Sequence, residues 1–224
     1  MGTLAAGMAH DLNNLLVSVL GNASLAQEFL PADNPAAWLI EGIVKAGEQA
    51  AVLTRQMLAY SGQGRFLVEA VDLSEIAAEA GAAMRETLPG NVALRLELQA
   101  ELPLIEADRR QMRQAVTDLV LNAAEAMEDS GGEVVVKTAV RDVDGNGELP
   151  AGRYVCLVVR DGGCGMDEAT KARMFDPFFS TKFIGRGLGL AAVAGIVRGH
   201  NGAILVTSAP GQGACFTVLL PAVG

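Results

Sequence analysis

The sequence predicts an α unit followed by an α/β unit: an antiparallel helical hairpin over residues 1–62, then a sandwich of helices on a mixed sheet over residues 63–224. Three observations predict it. Residues 3–60 carry two apolar seams, residues 61–65 form a glycine-bearing break, and beyond it runs of period two alternate with runs of helical period.

Met8, Leu12, Leu15, Val19, Asn22, Ala26 and Phe29 recur at alternating four and three, a coiled-coil-like seam that Pro31 and Pro35 stop. Leu39, Ile43, Ala46, Ala50, Leu53, Met57 and Tyr60 repeat the pattern, so residues 3–60 read as two antiparallel helices about a short turn. Two apolar stripes on so short a hairpin leave little core for a monomer. Pairing with a second copy into a four-helix bundle is the expected cover.

Ser61 to Arg65, with Gly62 and Gly64, reads as a linker. Beyond it, Ser74 is expected to cap a helix to about residue 86, residues 92–98 to form a strand, and Asp108 with Gln111 to form a capping box opening a helix to about residue 127. Residues 133–140 and 154–160 read as strands across a turn-rich segment, and a helix is expected from about residue 187 to 198. Residues 203–207 and 215–220 close the chain as a hairpin about Pro210-Gly211. Strands and helices in comparable number give an α/β or α+β sandwich.

Composition narrows the function. Hydrophobic residues at 50% and charged residues at 19% exclude a disordered chain. A net charge of −9 with scattered Lys and Arg gives no footprint for nucleic acid, and none is expected as a partner. Cys156, Cys164 and Cys215 form no C-x-x-C pair, which suits a reducing, cytoplasmic setting without a disulfide or zinc framework. The apolar run at 188–197 contains glycine and stops at Arg198, so no membrane segment is expected in this piece. Helical periodicity is already running by Met8, which suggests a fragment of a longer protein with sensing or membrane parts upstream.

Two regions carry candidate chemistry. His10 lies two residues from seam position Met8 and so points away from the seam, with Asp11 adjacent and Asn14 one turn on. A neutral imidazole nitrogen can attack phosphorus while a neighbouring carboxylate takes the other ring proton. In the second unit, Asp161 ends a strand and opens Asp161-Gly162-Gly163-Cys164-Gly165, where glycines let backbone approach a ligand. A carboxylate there accepts from an adenine amino group and repels the guanine oxygen. Asn122, mid-helix, offers a hard amide oxygen suited to Mg²⁺ or to nearby backbone.

Gly185-Arg186-Gly187-Leu188-Gly189-Leu190 leads into a helix whose free N–H groups can receive phosphate oxygens. The spacing is neither a P-loop nor a dinucleotide fingerprint. The segment 166–184, with Phe175, Phe178 and Phe179 and the cations Lys171, Arg173 and Lys182, suits a cover over bound nucleotide; Lys182 or Arg186 can neutralise phosphate.

Taken in order, these pieces resemble the sensor histidine kinases of two-component systems, in the His-Asp-x-Asn-Asn version found in NtrB-like and hybrid kinases. Residues 8–14 resemble the phosphoacceptor box, 122–126 the N box, 161–165 the first glycine box, 175–179 the F box and 185–190 the second; Gly211-Gln212-Gly213-Ala214 is similar to a further glycine box. The resemblance implies a dimerisation and phosphotransfer hairpin followed by a Bergerat-type ATP-binding sandwich. It implies that His10 is phosphorylated, that Asp11 accepts the proton, and that Asn14 can position water for dephosphorylating a partner. It also implies adenine binding by Asp161, Mg²⁺ binding by Asn122, and nucleotide contacts from Gly163, Gly165, Gly187 and Gly189. The expected partners are a response-regulator receiver domain and a second copy of the chain.

One position departs from the pattern. Asp118, one turn before Asn122, stands where such kinases usually carry Asn, and an acid there resembles the ATPase relatives in which a carboxylate activates water. Either some ATP hydrolysis or a role beside the Mg²⁺ waters follows. An ATPase or ATP-gated switch built on the same sandwich is therefore the alternative to a histidine autokinase. His200, beside Asn201-Gly202, reads as a helix-terminal cap.

Overall fold

The computed structural model describes residues 2–30, 34, 36–47, 50, 67–128, 130–145, 149–176, 179–180 and 189–223, with side chains from residue 15 onward except residue 28. The expected linker, Pro31, Pro35, Leu53, Met57 and Tyr60 lie outside the described residues. The chain divides into two compact units, Met1–Gly64 and Arg65–Gly224.

The first unit contains α1 (Gly2–Phe29) and α2 (residues 37–47). Asn34 starts α2, its Oδ1 accepting the Ala36 N–H at 2.9 Å. The internal seam differs from the expected one by a residue. The buried and half-buried positions are Leu16, Leu20, Ala23 and Ala26 on α1 and Ala37, Ile40, Val44 and Gly47 on α2. Gly47 meets Leu20 closely enough that a Cβ would lie 2.7 Å from its Cδ2. Expected seam residues stand in solvent instead: Leu15 is 64% exposed, Phe29 82% and Leu39 50%. Two adjacent apolar stripes share α1, and periodicity alone does not say which one a single chain covers.

The second unit is a two-layer sandwich. Its sheet has the order β2-β4-β5-β7-β6, from β2 (Val92–Glu97), β4 (Gly132–Val143), β5 (Gly152–Arg160), β6 (Ala203–Ser208) and β7 (Ala214–Pro221). β2 and β4 pair in parallel and the other neighbours antiparallel, so the sheet is mixed. A small antiparallel pair, β1 (Val68–Val71) with β3 (Ile105–Asp108), lies outside it. Four-residue strands carry no readable period, and the sequence predicts neither.

Helices α3 (Leu73–Met84), α4 (Arg109–Ala126) and α6 (Gly189–Gly199) supply the other layer. Ile76, Leu119, Val120 and Ile196 from the helices and Val134, Val155, Val159 and Phe216 from the strands are essentially inaccessible. Each such side chain contributes roughly 1.5–3 kcal/mol of burial. The opposite face of the sheet carries a smaller cluster of Tyr154, Cys156 and Leu219, against which Val143 and Leu149 pack.

The helix starts correct two sequence expectations. Asp72, not Ser74, caps α3: its carboxylate accepts the N–H groups of Ser74 and Glu75. The Ser74 hydroxyl instead bonds Gln99 O and Thr138 Oγ1. Asp108 does cap α4, but Gln111 does not complete a box, because the Asp108 N–H donates to His200 Nε2 at 3.0 Å. No described helix is long and apolar enough to cross a membrane.

Candidate functional site

Asp161 follows β5 and is 4% exposed. A carboxylate that deep requires partners. Its Oδ1 accepts the Gly163 N–H at 2.9 Å and the Ala214 N–H at 3.2 Å, and its own N–H donates to Ala214 O at 3.0 Å. These two bonds use one oxygen and fix the group where β5 meets β7.

The loop after Asp161 is clamped from two sides. On one side the last turn of α4 presents the Ala126 carbonyl, which accepts the Cys164 N–H at 3.1 Å. A Cβ on Gly163 would lie 2.4 Å from that oxygen. On the other side, a Cβ on Gly165 would lie 2.0 Å from Ala209 O, and one on Gly213 2.1 Å from Asp161 O. Both residues also have left-handed φ, 64° and 72°. Ser208 Oγ accepts the Met166 N–H at 2.9 Å and donates to Gly213 O at 2.7 Å, tying the loop to the β6–β7 turn. The sequence marks Ala126 only as the last residue of the 122–126 motif and does not mark Ser208, because the Ala126–Cys164 and Met166–Ser208 bonds link residues distant along the chain.

Asn122 stands on α4 one turn before Ala126, half-buried. Asp118 is a further turn back. Burial pushes its carboxyl up to about 7 against a hydrogen bond from Gln114, which works the other way. Its Oδ2 is buried with no hydrogen-bond partner among the described residues. Gly189, the first residue of α6, adjoins it: a Cβ there would lie 3.9 Å from the Asp118 Cβ.

The structure thus brings Asp161, Gly163 and Gly165 together in one loop. It sets that loop against the helix carrying Asn122, and Gly189 against Asp118 on the same helix. Lys182, Arg186, Gly187 and Leu188 lie outside the described residues. His10, Asp11 and Asn14 occupy α1 in the first unit, their side chains outside the described set. Between the glycine clusters a short helix, α5 (Glu168–Arg173), was not expected. Asp167 caps it, and hydrogen bonds with Thr170 hold that carboxyl below its usual range. Met174 is buried, and the Arg173 guanidinium lies 4.4 Å over the Phe179 ring.

The family described as histidine kinase-, DNA gyrase B- and HSP90-like ATPases matches residues 107–224, the stretch that holds every element of this site. The chain belongs to that family of ATPases. Among curated relatives, the sensor kinase CckA of Brucella abortus is 31% identical over 99% of this chain and 24% of its own length. The sensor histidine kinase ZraS of Klebsiella oxytoca is 34% identical over 100% of this chain and 46% of its own. The chain therefore spans less than half the length of either relative. Among solved structures, full-length ShkA in complex with AMPPNP superposes with a TM-score of 0.80 at 25% identity, over all of this chain and 47% of ShkA.

Proposed function

We propose that this chain binds ATP with Mg²⁺ in its second unit and transfers the γ-phosphoryl group to His10, as the kinase core of a two-component sensor. The observation that carries the reading is Asp161, a buried carboxylate fixed by backbone in a loop too tight for side chains. Such a group selects the adenine amino edge. The relatives and the AMPPNP complex of ShkA support the same ligand.

The donor set suits Mg²⁺. Among the described residues no cluster of three His, Cys, Asp or Glu could hold a metal ion, while Asn122 offers a hard oxygen with Asp118 one turn away. That fits an ion that keeps waters and takes phosphate oxygens for its other positions. When bound, Mg²⁺ neutralises phosphate charge. Lys182 or Arg186 adds to that neutralisation, and the N–H groups of Gly187, Leu188 and Gly189 receive phosphate oxygens.

At the acceptor, a neutral His10 nitrogen forms the N–P bond as the bond from the γ-phosphorus to its bridging oxygen breaks, releasing ADP. The proton on the other ring nitrogen passes to Asp11. The phosphoryl group then moves to an Asp of a response-regulator receiver domain; in the opposing phosphatase activity Asn14 orients a water that hydrolyses that aspartyl phosphate and releases inorganic phosphate. The exposed stripe of Leu15, Val19, Phe29, Leu39 and Ile43 supports a homodimer in which two helical hairpins form a four-helix bundle.

Incubation with γ-labelled ATP and Mg²⁺ tests this. The expected product is an acid-labile, base-stable label, absent with α-labelled ATP and absent in His10→Gln. A label of unchanged yield in that variant contradicts the assignment.

Asp118 favours a second reading, an ATPase or ATP-gated switch of the same fold. A buried carboxyl near 7 with an unpartnered oxygen is suited to taking a proton from water. Phosphate release that falls in Asp118→Asn while nucleotide binding persists supports that activity; unchanged release excludes it.

A further inference from the structure

We propose that His200 is a positioning residue that sets where the phosphate-binding end of α6 stands against the Asn122 helix; this rests on the ATP-binding reading above. The imidazole is 6% exposed, just past the end of α6. Its Nδ1 lies 2.7 Å from Ile196 O, and its Nε2 accepts the Asp108 N–H at 3.0 Å. One bond needs a ring N–H and the other a bare ring nitrogen, so together they specify a single neutral tautomer.

The second bond is the unusual one. Asp108 caps α4 by accepting the Arg110 and Gln111 N–H groups on Oδ1, and its Oδ2 holds the Leu67 N–H at 3.0 Å. Its own N–H is the group a capping-box side chain would take. Gln111 stands at the position that would do so, yet its Oε1 is buried with no hydrogen-bond partner among the described residues. The imidazole from the end of α6 takes that donor instead. Two helices that a local cap would leave independent are joined by one side chain.

The join has a far end. Asp108 to Asp118 is about 15 Å of helix, and α6 back from Gly199 to Gly189 has the same length. Gly189 duly lies against Asp118. α4 and α6 pack on one another, and the buried residues of α6 nearest its start, Ala191, Ala192 and Val193, carry small apolar side chains. Smooth surfaces of that kind permit axial slip, whereas a hydrogen bond to a backbone N–H has one register. The His200–Asp108 bond therefore fixes how far the α6 N-terminus sits from Asn122. That distance decides whether one triphosphate can reach backbone N–H groups and a metal held by Asn122 at once. The adenine end, held by Asp161, does not depend on it.

The test compares the wild-type chain with His200→Asn and His200→Gln, titrated with AMPPNP plus Mg²⁺ and with ADP plus a chelator. Asn retains a polar group near the Nδ1 position but falls short of Asp108; Gln places an acceptor near the Nε2 position. The expected result is that Asn weakens AMPPNP·Mg²⁺ by about tenfold and ADP by less than about twofold, and that Gln restores most of the loss. Ser74→Ala, which loses bonds to Gln99 and Thr138 and none of the bonds of His200 or Asp108, controls for general destabilisation and is expected to bind both ligands as wild type does. Equal weakening of both ligands, or none, overturns the positioning role. If His200→Asn does not fold, His200→Leu, which keeps the volume and loses both bonds, takes its place: AMPPNP·Mg²⁺ weakened about tenfold with ADP within about twofold supports the proposal, and parallel changes or none overturn it. A wild type that binds neither nucleotide overturns the ATP-binding reading itself, a result distinct from any variant effect.

Discussion

Gly163 lies against the carbonyl of Ala126, so close that a Cβ would stand 2.4 Å from the oxygen. That contact joins the loop holding Asp161 to the helix holding Asn122. Gly163→Ala must move one of two backbones, and overpacking of this kind costs about 1–3 kcal/mol. A melting temperature several degrees lower is expected in thermal denaturation, together with weaker ATP binding. An unchanged melting curve would show that the loop yields.

Asp161→Asn separates recognition from folding. The amide keeps an oxygen for the Gly163 and Ala214 N–H groups, so melting should change little. At the other position an NH₂ replaces the carboxylate oxygen and, in the proposed binding mode, faces the adenine amino group, donor to donor. Loss of a charged hydrogen bond is worth about 1.5–3 kcal/mol, a factor of ten or more in ATP affinity. The same NH₂ suits the guanine oxygen, so the ATP-over-GTP preference should narrow in a fluorescent-nucleotide competition assay.

Asp118 gives a pH dependence of stability with a definite sign. Its folded value is raised to about 7, well above that of a free carboxyl, so the folded chain holds a proton that the unfolded chain has released. Stability from this group is present below about pH 4 and declines as pH rises toward about 7, by at most about 4 kcal/mol. In Mg²⁺-free buffer Asp118→Asn should melt several degrees above wild type at pH 8, with the gap narrowing at pH 5. A gap independent of pH would place the ordinary carboxyl value on Asp118.

The exposed stripe predicts the association state. Val19→Asp with Ile43→Asp places charge on exposed positions and leaves the Leu20–Gly47 contact untouched. Light scattering should show wild type as a dimer and the double variant as a monomer that keeps its helical circular dichroism. A monomeric wild type would remove the bundle.

Much of the fold was legible because its elements carry a strong period. Strands β2, β4, β5, β6 and β7 and helices α4 and α6 lie within a few residues of where alternation and capping put them. Elements too short to show a period, β1, β3 and α5, were not. The cap of α3 fell to Asp72 because a carboxylate two residues before an orphan N–H is a better acceptor than the serine beside it. The α1 seam failed for a different reason: Leu15, Leu16, Val19 and Leu20 are all apolar, and two registers fit equally well. At the site, Asp161, Gly163, Gly165 and Asn122 were visible through residue type in a local pattern. Ser208, the Ala126–Cys164 bond and the Nε2 bond of His200 were not, since their partners lie 5 to 92 residues away.

Calorimetry of the wild-type chain tests the central claim most directly, with ATP and then GTP titrated in the presence of Mg²⁺. Saturable heat with ATP and little with GTP is the predicted result, since in the proposed reading the buried Asp161 carboxylate accepts from one base edge and repels the other. No heat with either nucleotide, or equal heat with both, contradicts it.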